Sequence, residues 1–530
     1  MTRETGRAET ASTDATEPYF FLKALILLVF AAVLRFWELD AAPVWMDEGF
    51  THFAARLPLE AILFDAIDNH PPLFYAVQHA WVALSGGAVD GLRVPAAVAG
   101  VLTVAVAIAA VGDLVSRRAG LVAGLVLALS TGAIHFSQDA RMYPLLMLGL
   151  CLALWGLIGG LIGGMRGRGG APLYVALYLL GGTVAIYAHA MALVFLLAVN
   201  LGVLAAMVMD PALRERWRWW LAVNFALGCL ALPWILQFAG AARTFQGLAT
   251  VDPFASNWFL RNAIGFPGLP RPFRLPAEGV LALAALAGAV LAWRAERREI
   301  AIVALAGLGL YPLFIVILSG LTPIVATRVF LPAGLALALL LAMLVQLPRR
   351  AGALALALFA GVALWSALRD HAGRTKLENL PAALAFADAE GFGGAPVHTC
   401  QQFTASAILA TAPEREIVIG LGDGLLRLDE GYYRVLRRSM AMVRGSGAVA
   451  RDVALGGGYL VEGGLAGLTE GRDGVVAIVA PACEADRVAR LDADLAGLGF
   501  ARVAERAFRG GLGGQTIMRR GETVVRLYRR

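Results

Sequence analysis

Residues 71–86 read PPLFYAVQHAWVALSG, and this segment decides the topology of the whole chain. The segment is apolar but short, it opens with two prolines, and Gln78 and His79 interrupt it. A helix needs ~20 mostly apolar residues to cross a bilayer. We therefore interpret residues 71–86 as an interfacial or re-entrant helix that does not span the membrane.

Apolar runs on both sides of this segment give the fold class. Eleven of them have about the length of a membrane span, and they cover residues 20–37, 92–112, 119–136, 143–164, 172–189, 190–209, 218–239, 277–294, 299–319, 327–347 and 350–368. Of the 530 residues, 59% are hydrophobic and 16% are charged, whereas about 25% are charged in an average soluble protein. The sequence predicts a polytopic α-helical membrane protein with about eleven transmembrane helices.

The arginine-rich loops give the orientation, because cytoplasmic loops carry an excess of Lys and Arg. With eleven spans and a cytoplasmic N-terminus, every strongly basic loop faces the cytoplasm; if residues 71–86 also crossed, every one would face outward. The basic residues of these loops are Arg117, Arg118, Arg166, Arg168, Arg214, Arg216, Arg218, Arg294, Arg297, Arg298, Arg349 and Arg350. We predict a membrane protein with a cytoplasmic tail at 1–19 and outer loops at 38–91 and 240–276.

From about residue 370 the sequence changes to the pattern of a soluble domain. Short β-rich runs at 416–421 (EIVIGL) and 474–481 (GVVAIVAP) alternate with a helix at about 483–497. The closing residues QTIMRRGETVVRLYRR predict a hairpin around Gly521. We predict a membrane module over residues 20–369, followed by a small extracytoplasmic α/β domain over residues 370–530.

Charge, glycine and cysteine content limit the possible partners. The net charge of +6 is dispersed along the chain, so we expect no nucleic-acid partner. Glycine-rich patches at 455–458 and 510–514 lack the lysine and the strand–loop–helix context of a nucleotide site. Outside the cytoplasm, Cys400 and Cys483 can form a disulfide or stay as free thiols.

Unusual polar residues collect at the outer ends of the predicted spans and in the outer loops. These residues are Arg35, Trp45, Asp47, Glu48, Asn69, His70, Arg93, Asp139, Arg141, Tyr143, His189 and Arg328. Taken singly, each arginine fits a lipid-headgroup anchor, His189 fits a hydrogen-bonded helix end, and Asp47–Glu48 fits the start of a helix over 48–57. Arginine on the outer side nevertheless runs against the positive-inside bias, so the set together predicts a site.

The residue types in this set indicate a chemistry. Two adjacent carboxylates at the edge of a low-dielectric region can supply a general base. Arginines and a histidine beside them can clamp a phosphate or pyrophosphate, because a guanidinium binds such an anion through two parallel hydrogen bonds. The set therefore predicts transfer of a group from a lipid-phosphate donor to a hydroxyl.

Six motifs carry a resemblance to a known family, and they occur in the order WMDEGFTHFAA, DNHPPLFY, LRVPAAVAG, SQDARMYPLL, YAHAMAL and ATRVFLPA. With them the chain resembles the GT-C glycosyltransferases, in the branch of protein O-mannosyltransferases and lipid A aminoarabinose transferases. The resemblance covers residues 20 to about 350. The aminoarabinose branch has a lysine before its Pro-Pro pair where this chain has His70, and the large lumenal insert of eukaryotic protein mannosyltransferases is missing.

The resemblance implies sugar transfer from a polyprenyl-phosphate-linked donor to a lipid, polysaccharide or protein acceptor. It implies that Asp47 is the catalytic base and that Glu48 orients Asp47 or the acceptor. The implied ligands of the donor phosphate are Arg93, Arg141 and His70, with Arg35 and Arg328 as further members. Other implied active-site residues are Trp45, Asn69, Asp139, Tyr143 and His189.

We expect direct displacement with inversion at the anomeric carbon, with phosphate leaving unprotonated. Arginines can stabilise the leaving charge, so we expect no metal, although Asp47, Glu48 and Asp139 keep a divalent cation as an alternative. A flippase of polyprenyl-linked sugars is the competing hypothesis, but it needs a polar path that the apolar spans within 277–368 do not offer. A membrane scaffold would leave the outer arginines unexplained.

Overall fold

The computed structural model describes residues 19–64, 67–68, 70–86, 91–163, 171–242, 256–321, 324–372, 379–399, 402–412, 415, 417–419, 454–455, 459–460, 469–480, 485–509 and 522–530. The chain divides into two compact units. The first, which we call the helical unit, comprises residues 1–37, 96–237 and 247–372. The second, which we call the mixed unit, comprises residues 38–95, 238–246 and 373–530.

The helices are, in chain order, α1 (Phe20–Phe36), α2 (Met46–Ala54), α3 (Leu59–Phe64), α4 (Leu73–Ser85), α5 (Val94–Leu114), α6 (Arg117–Leu129), α7 (Thr131–Ser137), α8 (Tyr143–Gly163), α9 (Ala171–Ala188), α10 (Met191–Met209), α11 (Pro211–Arg214), α12 (Trp217–Ala242), α13 (Ser256–Ile264), α14 (Arg271–Arg294), α15 (Arg298–Leu305), α16 (Tyr311–Ser319), α17 (Ala333–Ala342), α18 (Arg349–Ala372), α19 (Leu380–Ala389), α20 (Gln402–Thr411) and α21 (Ala485–Gly497). A π-helical turn at Ala306–Leu310 joins α15 to α16, and 3₁₀ turns at Thr327–Phe330 and Met343–Gln346 flank α17. The strands are β1 (Val397–Thr399), β2 (Ile417–Ile419), β3 (Ala454–Leu455), β4 (Tyr459–Leu460), β5 (Gly474–Val479), β6 (Ala501–Arg509) and β7 (Glu522–Arg529).

In the described part of the chain, eight helical segments are long and apolar enough to span a membrane. They run over Val94–Leu114, Tyr143–Ile162, Met191–Met209, Trp217–Gln237, Arg271–Arg294, Arg298–Ser319, Thr327–Gln346 and Arg349–Ala372. Helices α6 and α7 meet at an angle of 62° and add a ninth if they form one span. The remaining two predicted runs, 20–37 and 172–189, correspond to helix α1, which has 17 residues, and helix α9, which has 18 residues. Each predicted run contains a helix in the structure. The number of membrane spans, eleven, stays a prediction.

Small residues let helices of the helical unit approach closely. A Cβ atom on Gly156 of α8 would lie 2.3 Å from the backbone nitrogen of Tyr178 in α9. A Cβ on Gly181 of α9 would lie 2.5 Å from the nitrogen of Ala153. The two helices therefore touch backbone to backbone, which is the usual way that membrane helices gain packing energy without a hydrophobic driving force.

The C-terminal part of the mixed unit contains a five-stranded sheet in the order β2-β1-β5-β7-β6. Strand β1 pairs in parallel with β2 and β5, and β7 pairs antiparallel with β5 and β6. One face packs Val397, Val476 and Leu527 against α19 and α20, and the other packs Val475 against Leu495 of α21. The predicted fold class, a polytopic helical protein with a C-terminal α/β region, is confirmed.

The first strand and the turn of the predicted hairpin around Gly521 lie outside the described residues, and its second strand is β7. Strand β7 pairs with β5 on one edge and with β6 on the other. Residues 510–521, Cys400 and Cys483 lie outside the described residues, as do the glycines of the 455–458 patch.

Helix α4 lies within the segment 71–86, whose non-spanning placement stays a prediction. Its 13 residues extend about 20 Å at ~1.5 Å per residue, short of the ~30 Å of a hydrocarbon core. Gln78 Nε2 donates to the carbonyl of Leu92 at 2.9 Å, and Trp81 Nε1 donates to that of Gly91 at 3.0 Å. These bonds tie α4 to the segment that leads into α5.

If α4 does not cross the membrane, residues before and after it face the same side. In a chain whose native cysteines are replaced by serine, we predict that Ala41→Cys and Ser85→Cys are both labelled by a membrane-impermeant maleimide from the outside. Arg350→Cys, at the start of α18, should be labelled only after permeabilisation. Labelling of Ala41→Cys and Ser85→Cys from opposite sides would contradict this topology.

Candidate active site

The acidic pair opens helix α2 in the mixed unit. Trp45 precedes the helix as its N-cap, and Asp47 and Glu48 lie in the first turn, where the helix dipole favours negative charge. The helix starts two residues earlier than predicted and ends at Ala54. The two carboxylates differ in exposure: Glu48 is 0% exposed, whereas Asp47 is partly exposed.

Glu48 is committed to a buried ion pair with Arg93. The guanidinium Nε and NH2 of Arg93 donate to the two carboxylate oxygens of Glu48 at 2.7 and 2.8 Å. NH1 donates to the carbonyls of Leu39 at 2.8 Å and Ala42 at 2.9 Å. NH2 also donates to the carbonyl of Pro43 at 3.1 Å. Arg93 thus joins helix α2 to the loop that precedes it.

The predicted contact between Arg93 and a donor phosphate needs correction. A guanidinium has five N–H groups, and all five of Arg93 are used by Glu48 and the three loop carbonyls. The side chain is also buried, at 3% exposure. Arg93 could reach an anion only by breaking these bonds, so its geometry supports a structural role.

Helix α4 packs beside α2 and fixes the neighbouring loop. The ring of Phe50 meets that of Tyr75 edge to face at 5.7 Å, and the Tyr75 hydroxyl donates to Asp68. His79 Nδ1 lies 3.0 Å from the carbonyl of Ala55, at the end of α2. His70, between these contacts in the chain, is partly exposed, whereas Asn69 lies outside the described residues.

His52 adds no positive charge beside the acidic pair. Burial, and to a smaller extent the charge of Arg56, lowers the pKa of His52 to about 3. Its imidazole is therefore neutral at physiological pH.

Three of the predicted residues come together in the helical unit. The guanidinium carbon of Arg328 lies 5.9 Å from the ring centroid of Tyr143, and the Tyr143 ring lies 5.5 Å from that of His189. His189 Nδ1 accepts from the backbone N–H of Met191 at 3.1 Å, so the neutral imidazole carries its proton on Nε2. The Arg328 guanidinium thus lies within cation–π distance of the Tyr143 ring.

The turn before α8 holds Asp139 and Arg141. Gln138 Nε2 donates to the carbonyls of Leu34 and Trp37 at 3.3 and 3.0 Å, which attaches the turn to the end of α1. The backbone N–H of Arg141 donates to the carbonyl of Asp139 at 2.7 Å. Both charged side chains are buried, with 2% of Asp139 and 4% of Arg141 exposed.

Arg35 stabilises the break between α6 and α7. Its terminal nitrogens donate to the carbonyls of Leu127 at 3.0 Å and Ala128 at 3.3 Å. The last carbonyls of a helix have no partner within that helix, so Arg35 satisfies groups that the break exposes. This contact gives Arg35 a structural role, and donor binding by Arg35 stays a prediction.

Sequence reasoning missed two groups of residues. His135 Nδ1 lies 3.5 Å from Asp370 Oδ2 in the helical unit, and Ser406 Oγ donates to the carbonyl of Met46 at 3.3 Å in the mixed unit. Neither pair is close in sequence, and of the four residues only Met46 lies in one of the six quoted motifs. Among the residues that the structure describes, no three His, Cys, Asp or Glu side chains are grouped to hold a metal ion.

Comparisons with known proteins bear on this arrangement. Residues 69–234 match the model of a family described as dolichyl-phosphate-mannose-protein mannosyltransferase. A sequence search of curated proteins gives no match. The structure is similar to that of ArnT from Cupriavidus metallidurans in the apo state, with a TM-score of 0.58 and 14% identity over 96% of this chain and 97% of that chain. For ArnT bound to undecaprenyl phosphate, the TM-score is 0.56 and the identity 14%, over 96% of this chain and 97% of that chain.

These findings confirm the GT-C fold and the resemblance to GT-C glycosyltransferases. The family model covers the segment that contains His70, Arg141 and His189. At 14% identity, the likeness to ArnT concerns the fold, and it assigns no role to an individual residue of this chain. The roles of the site residues are therefore argued below from their own geometry.

The Glu48–Arg93 pair allows a test of its structural role. Glu48→Gln or Arg93→Gln should each cost about 3–5 kcal/mol of stability, because each leaves an uncompensated charge or polar group in a buried position. Thermal unfolding of the purified protein in detergent measures the loss. The double variant Glu48→Leu with Arg93→Met should lose less than the sum of Glu48→Leu and Arg93→Met.

The control is Asp40→Asn, which removes an exposed carboxylate of the same loop and should leave the unfolding temperature unchanged. Additive losses in the double variant would contradict a buried, mutually dependent pair.

Proposed function

We propose that this chain, whose family-model match and fold resemble those of GT-C glycosyltransferases, transfers a sugar from a polyprenyl-phosphate-linked donor to an acceptor hydroxyl. We place the reaction at the outer face of the bacterial inner membrane, with the N-terminus in the cytoplasm. ArnT, whose fold the chain shares, has been solved with undecaprenyl phosphate bound, which supports a polyprenyl phosphate as the carrier. The acceptor is a lipid, polysaccharide or protein hydroxyl.

The division of roles within the acidic pair is the observation that carries this proposal. Glu48 is fully buried and bound to Arg93 through both carboxylate oxygens. Asp47 occupies the same helix turn and is partly exposed. A general base must reach the proton that it removes, and of the two carboxylates only Asp47 is accessible to an acceptor. We therefore assign the base to Asp47 and the positioning of its helix to Glu48.

The proposed reaction is a direct displacement at the anomeric carbon. Asp47 takes the proton of the acceptor hydroxyl while the hydroxyl oxygen forms the new bond to the anomeric carbon. The bond from that carbon to the phosphate oxygen breaks, and the polyprenyl phosphate leaves with the electron pair. Attack opposite the leaving group inverts the anomeric configuration.

Arg328 and Arg141 are our proposed ligands of the donor phosphate, with His70 as a further member. Arg328 is partly exposed, and its stacking on Tyr143 holds the guanidinium in one orientation. Preorganised positive charge stabilises the negative charge that grows on a leaving phosphate more than it stabilises the ground state. Phosphate is a good leaving group without protonation, so the proposed reaction needs no general acid.

Replacement of Asp47 tests the assignment of the base. Asp47→Asn keeps the size of the side chain but cannot accept the proton, and we expect transfer to fall ~10²–10⁴-fold. The measurement is transfer of labelled sugar from polyprenyl-phosphate donor in proteoliposomes, with Asp40→Asn as the matched control. Full activity of Asp47→Asn would refute the assignment, and movement of labelled lipid across the bilayer without transfer would favour a flippase.

Replacement of Arg328 tests the donor site independently of the sugar. Loss of a hydrogen bond to a charged group costs ~1.5–3 kcal/mol, so Arg328→Ala should weaken binding of undecaprenyl phosphate roughly 10- to 100-fold. Arg328→Lys should recover part of the affinity, because a lysine restores charge but not the planar fork. The exposed Arg350→Ala serves as control, and equal affinities for Arg328→Ala and the unmodified protein would exclude this role.

A further inference from the structure

Helix α20 of the C-terminal region lies directly against the acidic helix α2, and both belong to the mixed unit. The contact is tightest at Gly49, two residues after Asp47. A Cβ on Gly49 would lie 2.5 Å from the backbone nitrogen of Ala407 and 2.7 Å from its Cα. Real Cβ atoms do not approach backbone so closely, so only glycine fits here without moving one helix.

A hydrogen bond fixes the register of the two helices. Ser406 Oγ donates to the carbonyl of Met46 at 3.3 Å, across 360 residues of sequence. Met46 directly precedes Asp47 in the first turn of α2. Ser406 is 0% exposed, so water competes little for this bond. The hydroxyl therefore holds the turn that carries the proposed base.

Helix α20 is itself held by the core of the C-terminal sheet. Ala407 and Ile408 are fully buried and belong to the same hydrophobic cluster as Val397 of β1 and Val476 of β5. Packed cores resist small displacements, so α20 is a firm support for α2. Helix α2 is also held by the ion pair between Glu48 and Arg93.

We propose that Ser406 and Ala407 are positioning residues for Asp47, and that the C-terminal region thereby takes part in catalysis without touching the reacting atoms. This inference rests on the proposed function, in which Asp47 is the base. Misplacement of a catalytic group by about 1 Å can cost ~10²-fold in rate. Movement of α2 away from α20 should therefore lower kcat while leaving donor affinity unchanged.

The test uses Gly49→Ala and Ser406→Ala in the full chain. We expect kcat for sugar transfer to fall ~100-fold in Gly49→Ala, where a methyl group must separate the helices. In Ser406→Ala we expect about a threefold to tenfold fall, the equivalent of one neutral hydrogen bond. Binding of undecaprenyl phosphate should match the unmodified protein in both variants. Gly497→Ala is the control, because a Cβ at Gly497 meets nothing within 4 Å.

Amide hydrogen exchange gives a second readout that does not depend on activity. Exchange in residues 46–54 should be faster in Ser406→Ala at an unchanged unfolding temperature. If Gly49→Ala fails to fold, Ser406→Ala alone decides. Unmodified kcat together with unchanged exchange in α2 would overturn the positioning role. If Asp47→Asn is active but α2 exchange still rises in Ser406→Ala, the packing inference stands while the assignment of the base fails.

Discussion

The proposed active site depends on the hydrogen bonds that the guanidinium of Arg93 makes. One side chain uses its five N–H groups to hold a carboxylate of α2 and three carbonyls of the loop before it. Three carbonyls of the loop are thereby hydrogen-bonded to one buried side chain. Through these bonds Arg93 holds the start of α2, and with it Asp47, to the preceding loop.

Burial of that ion pair also explains why two adjacent carboxylates can have different roles. A buried ion pair contributes little net stability compared with apolar residues, but removal of one partner is costly. Glu48 therefore is tied to Arg93 as long as the loop is folded. Asp47, one position earlier in the same turn, is partly exposed. This difference in exposure is why we propose Asp47, and not Glu48, as the base.

Much of the fold could be predicted because its signals are local. Each predicted span is one contiguous apolar run, so run 350–368 became helix α18 with one residue added at its start and four at its end. The segment 71–86 contains a helix of 13 residues, in keeping with its short apolar run, and its non-spanning placement stays a prediction. The acidic pair and Arg328 were likewise selected from residue type and predicted side, and their roles stay proposals.

Contacts between distant segments could not be predicted. Nothing in the sequence pairs Arg93 with Glu48 rather than with a phosphate, since both roles need the same guanidinium. The support of α2 by Ser406 spans 360 residues and leaves only Gly49 as a trace, and a lone glycine has many possible causes. The pairing of β7 with β5 on one edge and β6 on the other is likewise set by segments that no local pattern links.

The division of roles between the two carboxylates can be tested by one measurement, turnover per molecule that binds undecaprenyl phosphate, in Asp47→Asn and Glu48→Gln. Counting only binding-competent molecules separates chemistry from folding. We expect Asp47→Asn to bind in full proportion but to turn over at least ~10²-fold more slowly, whereas Glu48→Gln should lose mainly the fraction of molecules that bind. Normal turnover in Asp47→Asn, with loss of turnover in fully binding Glu48→Gln, would contradict this division of roles.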